Sequence, residues 1–338
     1  MRKLAQWTIG IVISAGALVL VFRGADLATI LTTFRSANYV YLWPALGLTL
    51  AALLTRALSW KAILGPAIPY RRVFWAINEG YLLNNCLPLR LGELGRAYLI
   101  SRTGTVSVEQ ALSSVVVERV IDLSVIVGML AAFLPLVAGL AWARNSALLA
   151  LGVSGGALLG LTVVTRYRVW AMRWAAWGLR RATRFNTAPL EARLSAFLEG
   201  LAVLQDGRRS LGAAFWSAVA WSTAGLSAWA LLLAFLPSAT LPMGFFTFIV
   251  AGLSMAAPSA PGNVGVFEAA VVFALQVFKV DSNLALSYAV ALHAINLGLT
   301  SLCGGLALAQ EGETIAHLAQ AARSLGKNRP PSTQWSAE

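Results

Sequence analysis

Long apolar runs recur from one end of this chain to the other, and few folds can accept them. Six are long enough to cross a membrane: Leu4–Phe22, Tyr39–Trp60, Val108–Leu136, Ser146–Thr165, Leu211–Leu236 and Leu284–Gln310. At 1.5 Å per helical residue each covers about 30 Å of hydrocarbon. A bilayer leaves no water for exposed backbone groups, so such runs become helices. Composition agrees. Of 338 residues 58% are hydrophobic and only 12% charged, with a mean hydropathy of +0.71, whereas a soluble domain carries about 25% charged residues. The expected fold is an all-α polytopic membrane protein. The stretches between apolar runs are too short for a soluble domain. Met1-Arg2-Lys3 before Leu4–Phe22 resembles a signal peptide, but the apolar run is too long and no cleavage pattern follows, so it reads as a retained span.

The net charge of +12 does not point to nucleic acid, because the basic residues follow topology. With a cytoplasmic N-terminus, Arg2, Lys3, Lys61, Arg71, Arg72, the six arginines of 166–184, Arg193, Arg208, Arg209, Arg323, Lys327 and Arg329 fall inside. Arg23, Arg35, Arg144 and Lys279 fall outside. This bias predicts a multi-pass protein of the cell (inner or cytoplasmic) membrane with both termini in the cytoplasm. Segment 166–184 interleaves arginine with tryptophan and reads as an interfacial helix. Glu191–Arg209 reads as an amphipathic connector. Cys86 and Cys303 give neither a disulfide framework nor a metal spacing and read as small apolar fillers.

Two further apolar regions, Val73–Ile100 and Met243–Lys279, are interrupted in their middles by Pro, Gly and polar residues. Topology requires each to return to the side it entered from. They are expected to form re-entrant hairpins, or paired thin spans. The order span, hairpin, span then occurs twice, over 39–136 and 211–310, once starting outside and once inside. That is an inverted repeat, within a single membrane domain of residues 1–312 that also holds a connector at 166–209, ahead of a cytoplasmic tail at 313–338. Interrupted segments at matching places in two halves point to a transporter's substrate site.

The first interruption, Asn84–Arg96, reads NNCLPLRLGELGR. Val73–Leu83 reaches about half-way across the bilayer at 1.5 Å per residue. Pro88 ends or kinks that helix, Asn84 and Asn85 can satisfy orphaned backbone groups, and Gly92 allows a close turn, with a second helix starting there. Arg90 and Arg96 are costly at this depth, and two guanidiniums beside a break suit a phosphate. Glu93 would orient one of them. The competing reading is structural: Arg90–Glu93 or Glu93–Arg96 salt bridges that pin the hairpin. On Val108–Leu136, Glu118 and Asp122 share a helical face and Arg119 lies three before Asp122. This stripe must face protein or water, and is expected to meet Arg90 or Arg96. Its competing reading is again an ion network with a structural role, and metal binding is not expected. In the second hairpin Pro258, Pro261, Gly262 and Gly265 repeat the breaking device. A helix starting near Asn263 would carry Glu268 in its early turns, where it would pair with Arg90, Arg96 or Arg119. Glu79 is a further intramembrane acid. His293 and Asn296 are candidates for a proton relay, although a lone histidine on an apolar helix more often packs with one hydrogen bond.

The blocks NNCLPLRLGELGRAYLI, SVEQALSSVVVERVIDL and PSAPGNVGVFEAA, in that order, resemble the signature blocks of the lysylphosphatidylglycerol synthase transmembrane family. These flippase-like membrane proteins form the N-terminal membrane part of multiple peptide resistance factor. The resemblance covers nearly the whole chain. It rests on Asn85, Pro88, Arg90, Gly92, Glu93 and Arg96, on Glu118, Arg119 and Asp122, and on Pro261, Gly262, Gly265 and Glu268. The third block is often Pro-Gly-Gly-x-Gly, and here Asn263 replaces the second glycine. The resemblance implies movement of lipids between leaflets, with relatives found beside glycosylation and hopanoid genes. The chain ends soon after the last span, without the family's soluble aminoacyl-transferase domain, so synthase activity is not expected.

The expected function is therefore a flippase-like transporter for an anionic, phosphate-bearing lipid or lipid-linked intermediate. Asn84, Asn85, Arg90, Arg96 and Arg119 would engage the head group, and Glu93, Glu118, Asp122 and Glu268 would counter charge in the empty site. Membrane lipids are the expected partners, along with a lipid-modifying or glycosyl-transferring enzyme. An oligomer is compatible with the sequence, and no cofactor is expected. Alternatives are a membrane-embedded transferase acting on a lipid-linked substrate, or a non-transporting subunit of a lipid-modifying complex.

Overall fold

A computed structural model describes residues 2–23, 25–87, 91–133, 188–255, 259–311, 314–318 and 320, and parts of 149–177. Among these residues the regular structure is helical. Eleven helices carry the argument: α1 (Arg2–Phe22), α2 (Leu27–Ser36), α3 (Leu42–Leu64), α4 (Tyr70–Cys86), α5 (Gly92–Ser101), α6 (Val108–Phe133), α7 (Ala188–Gly200), α8 (Gly207–Phe235), α9 (Leu241–Ser254), α10 (Val266–Gln276) and α11 (Ser282–Glu311). Three segments are both long and apolar enough to span a bilayer: Tyr39–Leu64, Gly207–Phe235 and Ser282–Glu311, with the bent pair α1 and α2 as a fourth. Helix α6 has the length, at 26 residues, but Glu118, Arg119 and Asp122 lower its apolarity. The expected span Ser146–Thr165 lies only partly within the described residues, and Pro88, Arg90 and Pro258 lie outside them. The short α2 between the first two spans was not expected. Asp26 starts it by accepting hydrogen bonds from the Ala28 and Thr29 amides at 3.0 and 3.3 Å.

Helices α3 and α8 lie along each other at the centre of the molecule. Ala45, Ala57, Ala213 and Ala228 are fully buried there. Small side chains let two helices approach closely, which matters where lipid removes the hydrophobic drive for association. Hydroxyls then tie the backbones: Ser227 Oγ donates to Ala45 O at 2.7 Å and Ser59 Oγ to Ala213 O at 2.9 Å. The Arg209 side chain caps the end of α3, donating to Ala62 O at 3.3 Å and Ile63 O at 2.6 Å. Around this pair, α4 packs on α5 and α11, α5 on α6, α9 on α6 and α10, and α10 on α11. Two large apolar cores result, with smaller clusters beside them. One joins the α4–α6 side to the end of α3, and the other gathers α9–α11 about α8.

The first interruption differs from expectation in length. Helix α4 runs for 17 residues, through Asn84 and Asn85 to Cys86, or about 26 Å, where an eleven-residue leg ending at Leu83 was predicted. Both asparagines stay helical because their side chains bond to other elements instead of competing for their own backbone. The second helix does begin at Gly92. In the second interruption α9 ends at Ser254, a 3₁₀ turn spans Pro261–Asn263, and α10 starts at Val266, three residues later than predicted. The connector is less free than its sequence suggests. Helix α7 packs on α6, and the turn after it buries Leu201 and Val203. Cys86 is exposed and Cys303 half-buried, so neither is the buried filler expected.

Candidate functional site: an alternating chain of charge

Helix α6 places Glu118 and Asp122 one turn apart on its buried face, while Arg119, next to Glu118, lies on the exposed side. Three other helices supply what meets them. From α3, Arg56 forms an ion pair with Asp122 and approaches Glu118 at 3.8 Å. From α5, Arg96 Nη1 lies 2.6 Å from Glu118 Oε2. From α8, Ser217 Oγ and Trp221 Nε1 donate to Asp122 Oδ1 at 2.7 and 3.2 Å. Arg119 Nη1 approaches Asp122 at 3.6 Å. The order in space is Arg96, Glu118, Arg56, Asp122, Arg119: plus, minus, plus, minus, plus.

Two indoles hold Arg96 and Arg56. The Arg96 guanidinium lies over the Trp60 ring at 4.6 Å, and that of Arg56 over Trp221 at 5.3 Å. Trp60 is fixed in turn by its Nε1 donating to Ser114 Oγ at 3.0 Å. A guanidinium between a carboxylate and an indole face is oriented twice, by charge and by the ring quadrupole. The chain ends on a cation at both ends. At one end the Arg119 side chain is 45% exposed, and at the other that of Arg96 is 3% exposed. The Arg96–Glu118 contact is close but not in line for a hydrogen bond, and both terminal nitrogens of Arg96 lack a hydrogen-bond partner among the described residues. Buried guanidinium donors are costly to leave unused.

Arg96 belongs to the helix that starts at the first break. There Asn84 Oδ1 accepts from the Gly92 amide at 2.8 Å, and its Nδ2 donates to Glu93 Oε2 at 3.3 Å. Asn84 thus caps α5 from across the hairpin. Asn85 points elsewhere, donating from Nδ2 to Thr300 and Ser301 hydroxyls on α11, each at 3.0 Å. Arg96 pairs with Glu118, as expected for the α6 stripe, rather than with Glu93 as in the competing reading, because α5 turns it toward α6.

A second polar centre lies at the other break. Gly262 has φ +69° and Asn263 φ +57°, the left-handed region that glycine and asparagine tolerate best. Asn263 adopts that conformation without being glycine. Its Oδ1 also accepts from Ser259 Oγ at 2.7 Å. Glu268 reaches neither Arg96 nor Arg119, which lie against Glu118 and Asp122. Its Oε2 accepts from the Gly265 amide at 2.7 Å, and its Oε1 lies 2.5 Å from His293 Nδ1. The other ring nitrogen of His293 lies 2.8 Å from the Gly262 carbonyl. Asn296 takes no part, since its amide returns to Leu292 O. The two breaks touch: a Cβ on Gly262 would sit 3.7 Å from Asn85 O, at the end of α4.

With this geometry in place, comparison with known proteins becomes informative. The sequence profile of the family described as Lysylphosphatidylglycerol synthase TM region matches residues 7–304. The chain belongs to that family. The match takes in both breaks and the whole charge chain, and it stops within α11. No curated protein matches the chain.

Arg56, Trp60, Ser114, Ser217 and Trp221 had not been singled out from the sequence, nor had His293 as the partner of Glu268. Arg56 carried the clearest signal, as a lone arginine within the apolar run Tyr39–Trp60. Among the described residues no group of His, Cys, Asp and Glu has the makings of a metal site.

Proposed function

We propose that this membrane protein moves lipids with anionic, phosphate-bearing head groups between the two leaflets. The observation that carries this reading is the charge chain. Three guanidiniums face two carboxylates, so the line ends on cations and has a net positive charge to offer. A phosphate can take Arg119 from the exposed end and the unused donors of Arg96 at the break, while the acyl chains stay in lipid. Guanidiniums suit this because their planar fork matches two phosphate oxygens. The carboxylates neutralise Arg56 and partly neutralise its neighbours when no lipid is bound.

Family membership supports a role with membrane lipids. The exchange of packing partners supports the inverted repeat. α3 meets its counterpart α8, while α4 packs on α11 and α9 on α6. On this reading 39–136 and 211–310 are the two units, α4–α5 and α9–α10 are the hairpins, and six spans cross the membrane. The excess of Lys and Arg on one side supports cytoplasmic termini in the cell membrane.

Reconstitution tests this. In liposomes, the protein should move a fluorescent phosphatidylglycerol between leaflets. Arg96→Gln with Arg119→Gln should slow it about tenfold, the loss expected when a charge-assisted hydrogen bond is worth ~1.5–3 kcal/mol. An unchanged rate in the double variant removes the head-group site from the charge chain. A covalent product formed from the lipid and a donor would instead mark a transferase.

A further inference from the structure

The second break holds a proton whose presence can be deduced from hydrogen-bond direction alone. His293 Nε2 faces the Gly262 carbonyl at 2.8 Å. A carbonyl only accepts, so Nε2 carries a hydrogen. His293 Nδ1 faces Glu268 Oε1 at 2.5 Å. Two bare lone pairs do not sit that close, so a second hydrogen lies between them, on one atom or the other. It does not belong to the other oxygen, because Glu268 Oε2 accepts from the Gly265 amide at 2.7 Å. The pair therefore carries one removable proton and is neutral overall. Both residues are buried, His293 at 4% exposure and Glu268 at 7%.

No other titratable group competes for this proton among the described residues. From α10 come Glu268 and Phe267, whose ring stacks on the imidazole at 4.4 Å. From α1, Ser14 Oγ accepts from the Ala260 amide at 2.8 Å. From α4, the carbonyl of Asn85 approaches Gly262. On α11 itself, Asn296 is turned to Leu292 O. The arginines of the other centre that the structure describes are engaged with Glu118 and Asp122.

The same four groups form a strap. Gly262 O, His293, Glu268 and the Gly265 amide run in series from one side of the turn to the other, and Gly262 and Gly265 both have positive φ. Transfer of the proton to water leaves a carboxylate facing a neutral imidazole nitrogen, a buried negative charge without a donor on that side. The strap is then held apart, and the turn that touches the end of α4 is released.

We infer that the Glu268–His293 pair is an exchangeable proton site that couples proton movement to opening of the second hairpin. The proton leaves to water on one side as the strap opens, and is replaced from water on the other as it closes. This rests on the transport reading above and supplies its energy source, a proton gradient.

The test uses the full chain and Glu268→Gln. A glutamine at 268 can donate from Nε2 to His293 Nδ1 and accept from the Gly265 amide through Oε1, so every bond is kept with no removable proton. In detergent, the thermal midpoint of the native protein should fall as pH rises from 7 to 9. The hydrogen between Glu268 Oε1 and His293 Nδ1 bridges two elements of the fold, and alkali withdraws it. The midpoint of Glu268→Gln should stay flat over that range. Parallel profiles for the two proteins overturn the proton site. In liposomes, an imposed pH gradient should change the native rate of fluorescent phosphatidylglycerol movement and acidify or alkalise a trapped pyranine dye alongside it. The Glu268→Gln rate, whatever its size, should be the same with and without the gradient. A native rate indifferent to the gradient overturns the coupling. Divergent pH profiles without lipid movement would uphold the proton site and refute the transport reading.

Discussion

The two interruptions face the same problem, a helix that stops and restarts in apolar sequence, and meet it with different chemistry. At the first, the new helix is capped from across the gap by Asn84, and the charges that follow are guanidiniums shared among four helices. At the second, the chain turns through two left-handed residues, Gly262 and Asn263, and the polar groups are one carboxylate and one imidazole lying between α10 and α11. Guanidinium stays charged at any physiological pH, so the charge of the first centre is fixed. The second holds a hydrogen between two atoms that can each bind it, so its charge can be rearranged. The glycines differ in the same way. Gly92 is needed for proximity, since a Cβ there would lie 1.9 Å from Gly80 O. Gly262 is needed for its φ of +69°, while a Cβ there would meet nothing closer than 3.5 Å.

This contrast can be broken at several points. The largest effect is expected at the first centre. Asp122→Ala leaves Arg56 without its closest carboxylate and Ser217 and Trp221 without their acceptor. It should cost about 3–5 kcal/mol in unfolding experiments in detergent. Arg56→Met with Asp122→Leu should cost clearly less than the two single changes added together, because no lone charge is left behind. Additive costs would mean the charge chain is weakly linked. Next come the glycines. Gly92→Ala should cost ~1–3 kcal/mol through overpacking, and Gly92→Asn more. Gly262→Ala should cost ~1–2 kcal/mol through its backbone, and Gly262→Asn less, as asparagine tolerates that region. If asparagine were equally harmful at both, the distinction between crowding and torsion would collapse. Asn85→Ala removes two hydrogen bonds to α11 and should cost about 1–2 kcal/mol. The smallest change is expected at exposed Cys86, where serine should stay within about 0.5 kcal/mol of the native protein by thermal unfolding.

Much of the fold could be read along the chain. Apolar length fixes helices wherever the backbone has no water to bond to. The i, i+4 spacing of Glu118 and Asp122 puts them on one face, and glycine at 92 marks where a helix restarts. The end of α4 was misread because asparagine normally competes with its own backbone, and only a partner across the gap removes that competition. Partner choice was not legible at all. Glu268 was assigned to arginines, yet its partner lies 25 residues on, at His293. Asp122 is held by Arg56, 66 residues before it, and by Ser217, 95 residues after it. Periodicity tells which face of a helix is polar, but not which helix that face will meet. In a chain with so many similar apolar helices, hydrophobicity does not choose between neighbours. The choice falls to close packing of small residues, as between α3 and α8, and that packing sets the register in which Arg56 meets α6. The sequence by itself determined the helices, the two breaks and the inventory of intramembrane charge. Only the tertiary structure decided that the charge divides into a chain of guanidiniums and carboxylates at one break and a carboxylate–imidazole pair at the other.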